Sequence, residues 1–212
     1  DRYGSDKPDV RFGFELKSMN DVFENTEFKV FSDTLASGGD IKGININGYG
    51  ERFSRKDIGK LEEFVKTYGA KGLAWVKFQN GEIQSSITKF LDEPKVARIK
   101  DIFSASEGDL LLIVADKPSV VYDALGALRC EVAKQLGILD PKDYKFLWVT
   151  DFPLFEYDEE ENRFVAKHHP FTSPKDEDID KLETDPANCR AKAYDIVLNG
   201  YEIGGGSIRI HN

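Results

Sequence analysis

The sequence predicts an α+β fold. Two Asn-Gly pairs, at 80–81 and 199–200, each lie between apolar, β-prone runs. A two-residue turn with positive φ at both central residues joins antiparallel strands at such a place. Two helical stripes run up to glycines, Gly69 and Gly137, which suit the left-handed end of a helix. Strands and helices mix without the strict alternation that a doubly wound parallel sheet needs.

The elements follow in order. Residues 1–12 are polar, punctuated by Gly and Pro, and read as loop. Short strands are expected at Phe28–Phe31 and Ile41–Ile46. Ser54 opens a helix with Asp57 three residues on, a capping box with Asp in place of the usual Glu or Gln. Ile58, Leu61, Phe64, Val65 and Tyr68 form its apolar stripe. Leu73–Phe78 and Glu82–Ile87 make a hairpin about Asn80-Gly81, Pro94–Phe103 a short helix, and Leu110–Ala115 a buried strand. Pro118 starts the strongest helix, with Val121, Leu125, Leu128, Val132 and Leu136 on one side.

The style changes near Asp140-Pro141. Strands are expected at Phe146–Thr150, Leu154–Tyr157, Arg163–Lys167, Tyr194–Leu198 and Tyr201–Ile210. The acidic run Asp158–Asn162 reads as a solvated turn, and Thr172–Ala191 as an irregular connection with at most a short helix.

The formal net charge of −9 argues against the chain as the main nucleic-acid clamp, because phosphate binding needs clustered Lys and Arg. Cys130 and Cys189 have no metal-like spacing, and the simplest expectation is a reduced, cytoplasmic protein. No apolar run is long enough to span a bilayer. The opening Asp-Arg-Tyr-Gly has no signal-peptide pattern, and both ends read as cuts in a longer chain.

The chemistry concentrates in Tyr194–His211. A two-residue turn at Asn199-Gly200 sets Leu198 opposite Tyr201, Val197 opposite Glu202, Ile196 opposite Ile203 and Asp195 opposite Gly204. Asp195 and Glu202 then share a face as diagonal neighbours, with Cβ atoms roughly 7 Å apart. Two such carboxylates suit Mg²⁺, which takes one or two of them together with phosphates. Arg209 stands at an odd offset from Glu202 and faces the other way unless a bulge intervenes. Gly204, Gly205 and Gly206 predict that bulge, with Arg209 restored to the carboxylate face, and they let a ligand approach the backbone. A plainer reading leaves Asp195 and Glu202 as exposed strand residues and the glycines as relief of packing. In His168-His169-Pro170, neighbouring strand residues face opposite ways, so at most one His would meet a ligand.

KFLWVTDFPLFEYDEEENRFVAKHHPFTSPK and NCRAKAYDIVLNGYEIGGGSIRIHN resemble the class II catalytic domain of bacterial-type aspartyl-tRNA synthetases. RYGSDKPDVRF is similar to the segment that precedes their insertion, and FVKTYGAKGLAWVKF with GALRCEVAKQLGI resembles their GAD insertion domain. The resemblance implies a catalytic-domain segment at 1–12, a GAD-type α/β insertion domain (a mixed sheet with helices) at 13–140, and part of the antiparallel catalytic sheet at 141–212. It implies that His168 and Arg209 bind aspartate and that Glu202 and Asp195 hold ATP through Mg²⁺. His169 stands behind them, and Gly204, Gly205 and Gly206 let the backbone come close. No residue acts as a covalent catalyst. The implied partners are aspartate, ATP and tRNA, with no membrane, in a homodimeric parent. The family's anticodon barrel, first two motifs and final Gly-Leu-Asp-Arg segment are missing, so the chain alone is expected to be inactive. The alternative is a non-catalytic GAD-type module, as in tRNA-dependent amidotransferase subunits.

Overall fold

A computed structural model describes residues 1–211. The chain divides into two compact units: Asp1–Asp6 with Phe12–Asp140, and Lys7–Arg11 with the chain from Pro141 onward.

The first unit has three layers. It runs β1 (Lys17–Ser18), α1 (Asn20–Phe23), α2 (Lys29–Ala36), β2 (Asp40–Ile46), α3 (Arg55–Lys66), β3 (Ala74–Gln79), β4 (Glu82–Ser85), α4 (Glu93–Phe103), β5 (Leu110–Asp116) and α5 (Pro118–Leu136). The five strands form one sheet in the order β1-β2-β5-β3-β4. The α+β class holds. Every pairing in the sheet is antiparallel, however, rather than mixed in direction. The β3–β4 hairpin turns tightly at Asn80 and Gly81, both at positive φ, and β5 runs against both β2 and β3.

Strand β5 explains its own unbroken apolar run. Leu110, Leu112 and Val114 join one core with Ile58, Leu61 and Val65 of α3 and Val121, Leu125 and Leu128 of α5. Leu111 and Ile113 point into a second core with Phe23, Phe31, Ile99 and Phe103. A strand buried on both faces loses the polar alternation of a surface strand.

One element differs from the sequence expectation. Phe28–Phe31 is not a strand: Phe28 is the N-cap of helix α2, and Phe31 is buried. Phe28 and Phe31 meet edge-on with ring centroids 4.8 Å apart, and Leu35 packs against the same core, a helical 3–4 spacing. Four residues were too few to separate that period from a strand's. Helix α3 begins as expected: Ser54 accepts from the Asp57 N–H while the Asp57 carboxylate accepts from the Ser54 N–H.

Two contacts fix the entry to this unit. Gly4 crosses α5 at Gly126, and a Cβ on either would overlap the other's backbone region. Arg129, 1% exposed, donates to the carbonyls of Gly13 and Phe14 and lies over the rings of Tyr3 and Phe12. Gly13 and Phe14 both take positive φ, so the guanidinium caps carbonyls left outside any ladder.

The second unit holds a three-stranded sheet, order β10-β9-β6, from β6 (Phe146–Val149), β9 (Ala193–Leu198) and β10 (Tyr201–Ser207). A separate hairpin pairs β7 (Phe155–Asp158) with β8 (Arg163–Ala166). Its turn is the acidic run, where the Asp158 carboxylate accepts from the N–H groups of Glu160 and Glu161. Between β8 and β9 lie only two short 3₁₀ turns, Asp176–Lys181 and Pro186–Asn188. The apolar core is small: Phe152, Leu154, Cys189 and Ala191.

Candidate functional site

The β9–β10 ribbon positions the site. Asn199 and Gly200 take φ of 50° and 90°, and Leu198 pairs with Tyr201 and Val197 with Glu202 as the turn chemistry requires. The register then shifts between Glu202 and Gly204. Ile203 is the extra residue, so Ile196 faces Gly204 and Asp195 faces Gly205. The expected bulge is therefore present, one residue ahead of the glycine triplet. It restores parity: Glu202, Gly205, Ser207 and Arg209 fall on the face that Val197 and Asp195 share.

Gly205 has a steric reason to be glycine. A Cβ there would overlap Asp195 Oδ1 and stand 3.1 Å from its Cγ. The Asp195 carboxylate thus lies across the neighbouring backbone. On the opposite face a Cβ at Gly206 would meet the Tyr194 ring at 3.1 Å, whereas at Gly204 the nearest atom is Ile196 Cγ2 at 3.6 Å. The plainer reading of the glycines as relief of packing describes this part of the geometry.

An open cleft of about 340 Å³ lies over this face, lined among others by Lys167, His168, His169, Asp195, Gly206 and Arg209. The two histidines do not split between faces. β8 ends at Ala166 and the chain bends at 167–168, so the alternation of a strand no longer applies and both line the cleft. The His168 ring meets Phe152 edge-on at 5.0 Å. His169 Nδ1 accepts from the Phe171 N–H at 3.2 Å, which leaves Nε2 as the proton-bearing nitrogen of the neutral ring.

Arg209 bridges Thr172, and its Nη1 donates to Thr172 Oγ1 at 3.4 Å. Thr172 is itself 3% exposed, so a buried hydroxyl steadies the guanidinium. Elsewhere in this unit a fully buried carboxylate organises the irregular connection. Asp178 accepts from Arg190 Nε at 2.7 Å, from the Arg190 N–H at 3.0 Å and from Lys181 Nζ at 2.8 Å. Arg190 and Lys181 hold the Asp178 carboxyl far below the usual carboxylate range. Burial pushes the Cys189 thiol up, as suits a structural rather than a reactive cysteine. Neither Cys130 nor Cys189 is in a disulfide.

Glu202 is not among the cleft-lining residues, nor are Gly204 and Gly205. Its Oε2 pairs with Lys7 Nζ at 3.5 Å. Lys7, Lys167, Phe152 and Thr172 escaped the sequence reading. Lys7 stands far from Glu202 along the chain, and Lys167 carries no motif beyond its place next to the histidines.

Comparison with known proteins places these features. The GAD domain model matches residues 31–125, from α2 into α5. The aspartate–tRNA(Asp/Asn) ligase of Caldanaerobacter subterraneus subsp. tengcongensis is 58% identical over 212 residues, which are 100% of this chain and 36% of that protein. The aspartate–tRNA ligases of Oceanobacillus iheyensis and Staphylococcus carnosus are 58% and 56% identical over 211 residues, again 100% of this chain and 36% of theirs. The chain resembles a segment of the bacterial aspartate–tRNA ligases, with a GAD domain inside it. It spans about a third of the length of the curated relatives it matches. The cleft residues, from Phe152 to Arg209, lie outside the GAD match and inside the stretch shared with the ligases.

Proposed function

We propose that the protein carrying this chain activates aspartate with ATP and transfers the aspartyl group to tRNA. The convergence of Arg209, His168, His169 and Asp195 on one cleft is the observation that carries this reading. In the first step an oxygen of the aspartate α-carboxylate attacks the α-phosphorus of ATP and pyrophosphate leaves. In the second a ribose hydroxyl at the tRNA terminus attacks the acyl carbon and AMP leaves. Neither step needs a protein nucleophile, so the protein's contribution is positioning and charge stabilisation.

Arg209 takes the side-chain carboxylate of aspartate. Its planar fork matches two carboxylate oxygens and offers only donors, so the amide NH₂ of asparagine would meet N–H groups. His168, set against Phe152, contacts the amino acid, and His169 stands beside it with Nε2–H available. Asp195 and Glu202 share the ribbon face and offer hard oxygen donors. Among the described residues no group of three His, Cys, Asp or Glu is placed to hold a metal. A pair suffices for Mg²⁺ when phosphates complete its shell, and these two would serve once Glu202, now paired with Lys7 outside the cleft lining, turns towards Asp195. Bound there, the ion would neutralise phosphate charge. Gly206 brings bare backbone to the cleft wall, whereas Gly204 and Gly205 lie outside its lining. The same reading makes residues 13–140 the insertion, flanked by catalytic-domain segments 1–12 and 141–212, in a cytoplasmic homodimer.

ATP–pyrophosphate exchange with aspartate on the full-length protein tests it. Arg209→Lys should lower kcat/KM for aspartate by about a hundredfold, the loss of a bidentate pair. Glu202→Gln should raise the Mg²⁺ needed for half-maximal exchange. Unchanged rates in both variants would remove the assignment.

A further inference from the structure

We propose that Lys167 is a recruitable cation of the cleft: Glu156 holds it aside, and a phosphoryl group of the ligand draws it in. The inference rests on the reading of this cleft as a site for anionic ligands, and it adds a residue and a counter-ion that the reading does not include.

Lys167 lines the cleft beside His168, His169 and Arg209, where Asp195 is the one lining carboxylate. Its backbone is fixed, because the Lys167 N–H donates to the Leu154 carbonyl at 3.1 Å. Its ammonium is not. Nζ stands 4.0 Å from Glu156 Oε2, the outer limit of an ion pair, and the two side chains are 40% and 54% exposed. A pair that long and that solvated holds weakly, so releasing it costs little. Glu156 sits on β7 opposite Val165 of β8, next to the end of the hairpin from which Lys167 emerges. The carboxylate is therefore within reach of the ammonium without lining the cleft.

The chemistry separates the two basic side chains. Arg209 is tied to Thr172 and presents a planar fork, which suits a carboxylate. Lys167 is a point charge on a flexible stem, which suits a phosphoryl oxygen whose position varies. In a chain of net charge −9, a concave patch with this excess of basic groups also draws anions locally. An incoming phosphate competes with one carboxylate for Lys167 and offers more charge than that carboxylate does.

Glu156 and Lys167 then act with opposite sign, which a purely structural pair cannot do. The test is titration of the 212-residue chain with inorganic pyrophosphate at low salt, followed by the amide shifts of residues 167–172, with Arg209→Met as the reference variant. Lys167→Met should weaken binding by about fivefold and flatten its salt dependence. Glu156→Gln should tighten binding by about twofold, because it frees the ammonium. Both variants moving the same way, or Lys167→Met having no effect while Arg209→Met weakens binding, would overturn the inference and leave the cleft reading intact. No pyrophosphate binding, or binding indifferent to both Lys167→Met and Arg209→Met, would overturn the inference, while the aspartate-dependent exchange of Arg209→Lys judges the cleft reading separately.

Discussion

The two sheets of this protein treat their faces differently. In the five-stranded sheet, β5 sends alternate side chains into two separate cores, and residues Leu110 to Val114 are all at most 1% exposed. In the three-stranded sheet only Val197 is buried to that degree. Phe146, Trp148 and Tyr201 stand 58%, 61% and 75% exposed on one face, and the cleft residues occupy the other. The first sheet draws its rigidity from packing. The second is ordered instead by a bulge, a buried carboxylate and a hydroxyl behind an arginine. The candidate site lies where the hydrophobic core is thin and polar contacts set the geometry.

The sharpest test of that contrast is truncation. Leu112→Ala in β5 should cost about 2–5 kcal/mol in urea denaturation, because it opens a cavity in a closed core. Trp75 packs against that same core and provides a fluorescence reporter. The second prediction concerns charge. The folded pKa of Asp178 is depressed by Arg190 and Lys181, so its contribution is complete above the unfolded value of about 4 and is lost as pH falls towards the folded pKa. Asp178→Asn should start from lower stability at neutral pH and lack that part of the acid decline. Trp148 fluorescence during acid titration measures it, and superimposable profiles would show that the carboxylate does not order the connection.

The third prediction separates two adjacent glycines. Gly205→Ala should destabilise by about 1–3 kcal/mol, since the added methyl displaces the Asp195 carboxylate and comes within 3.2 Å of the Tyr194 carbonyl. Gly204→Ala meets only ordinary contact at 3.6 Å and should change stability by less than about 1 kcal/mol. Equal effects in thermal denaturation would contradict the placement of the bulge. The smallest effect is expected at the open face, where Trp148→Ala should stay within about 0.5 kcal/mol.

Legibility followed the same division. Where a local rule carries the structure, the sequence sufficed. The capping box at Ser54, the positive-φ turns at Asn80-Gly81 and Asn199-Gly200, and the long helix ending at Gly137 all formed where expected. The glycine triplet announced a bulge that would restore parity to Arg209, but its place at Ile203 was not legible, because the three following glycines offered more permissive sites. Phe28–Phe31 was misread because both periods fit a segment so short. The joint presence of His168 and His169 in the cleft depends on a bend after β8 that no local signal announces. Lys7 beside Glu202, and Thr172 behind Arg209, are products of tertiary folding and have no signature in the sequence around either residue.

The extra residue at Ile203 makes the ribbon behave like a reading frame. Remove one residue between Gly200 and Arg209 and every later side chain turns over, so the guanidinium swaps places with the aliphatic groups on the far surface. Remove or insert two and the alternation is preserved, with only the span changed. Length variation in this ribbon is therefore tolerable in steps of two, and a single-codon deletion there would act as an inversion of the site rather than a shortening of a loop.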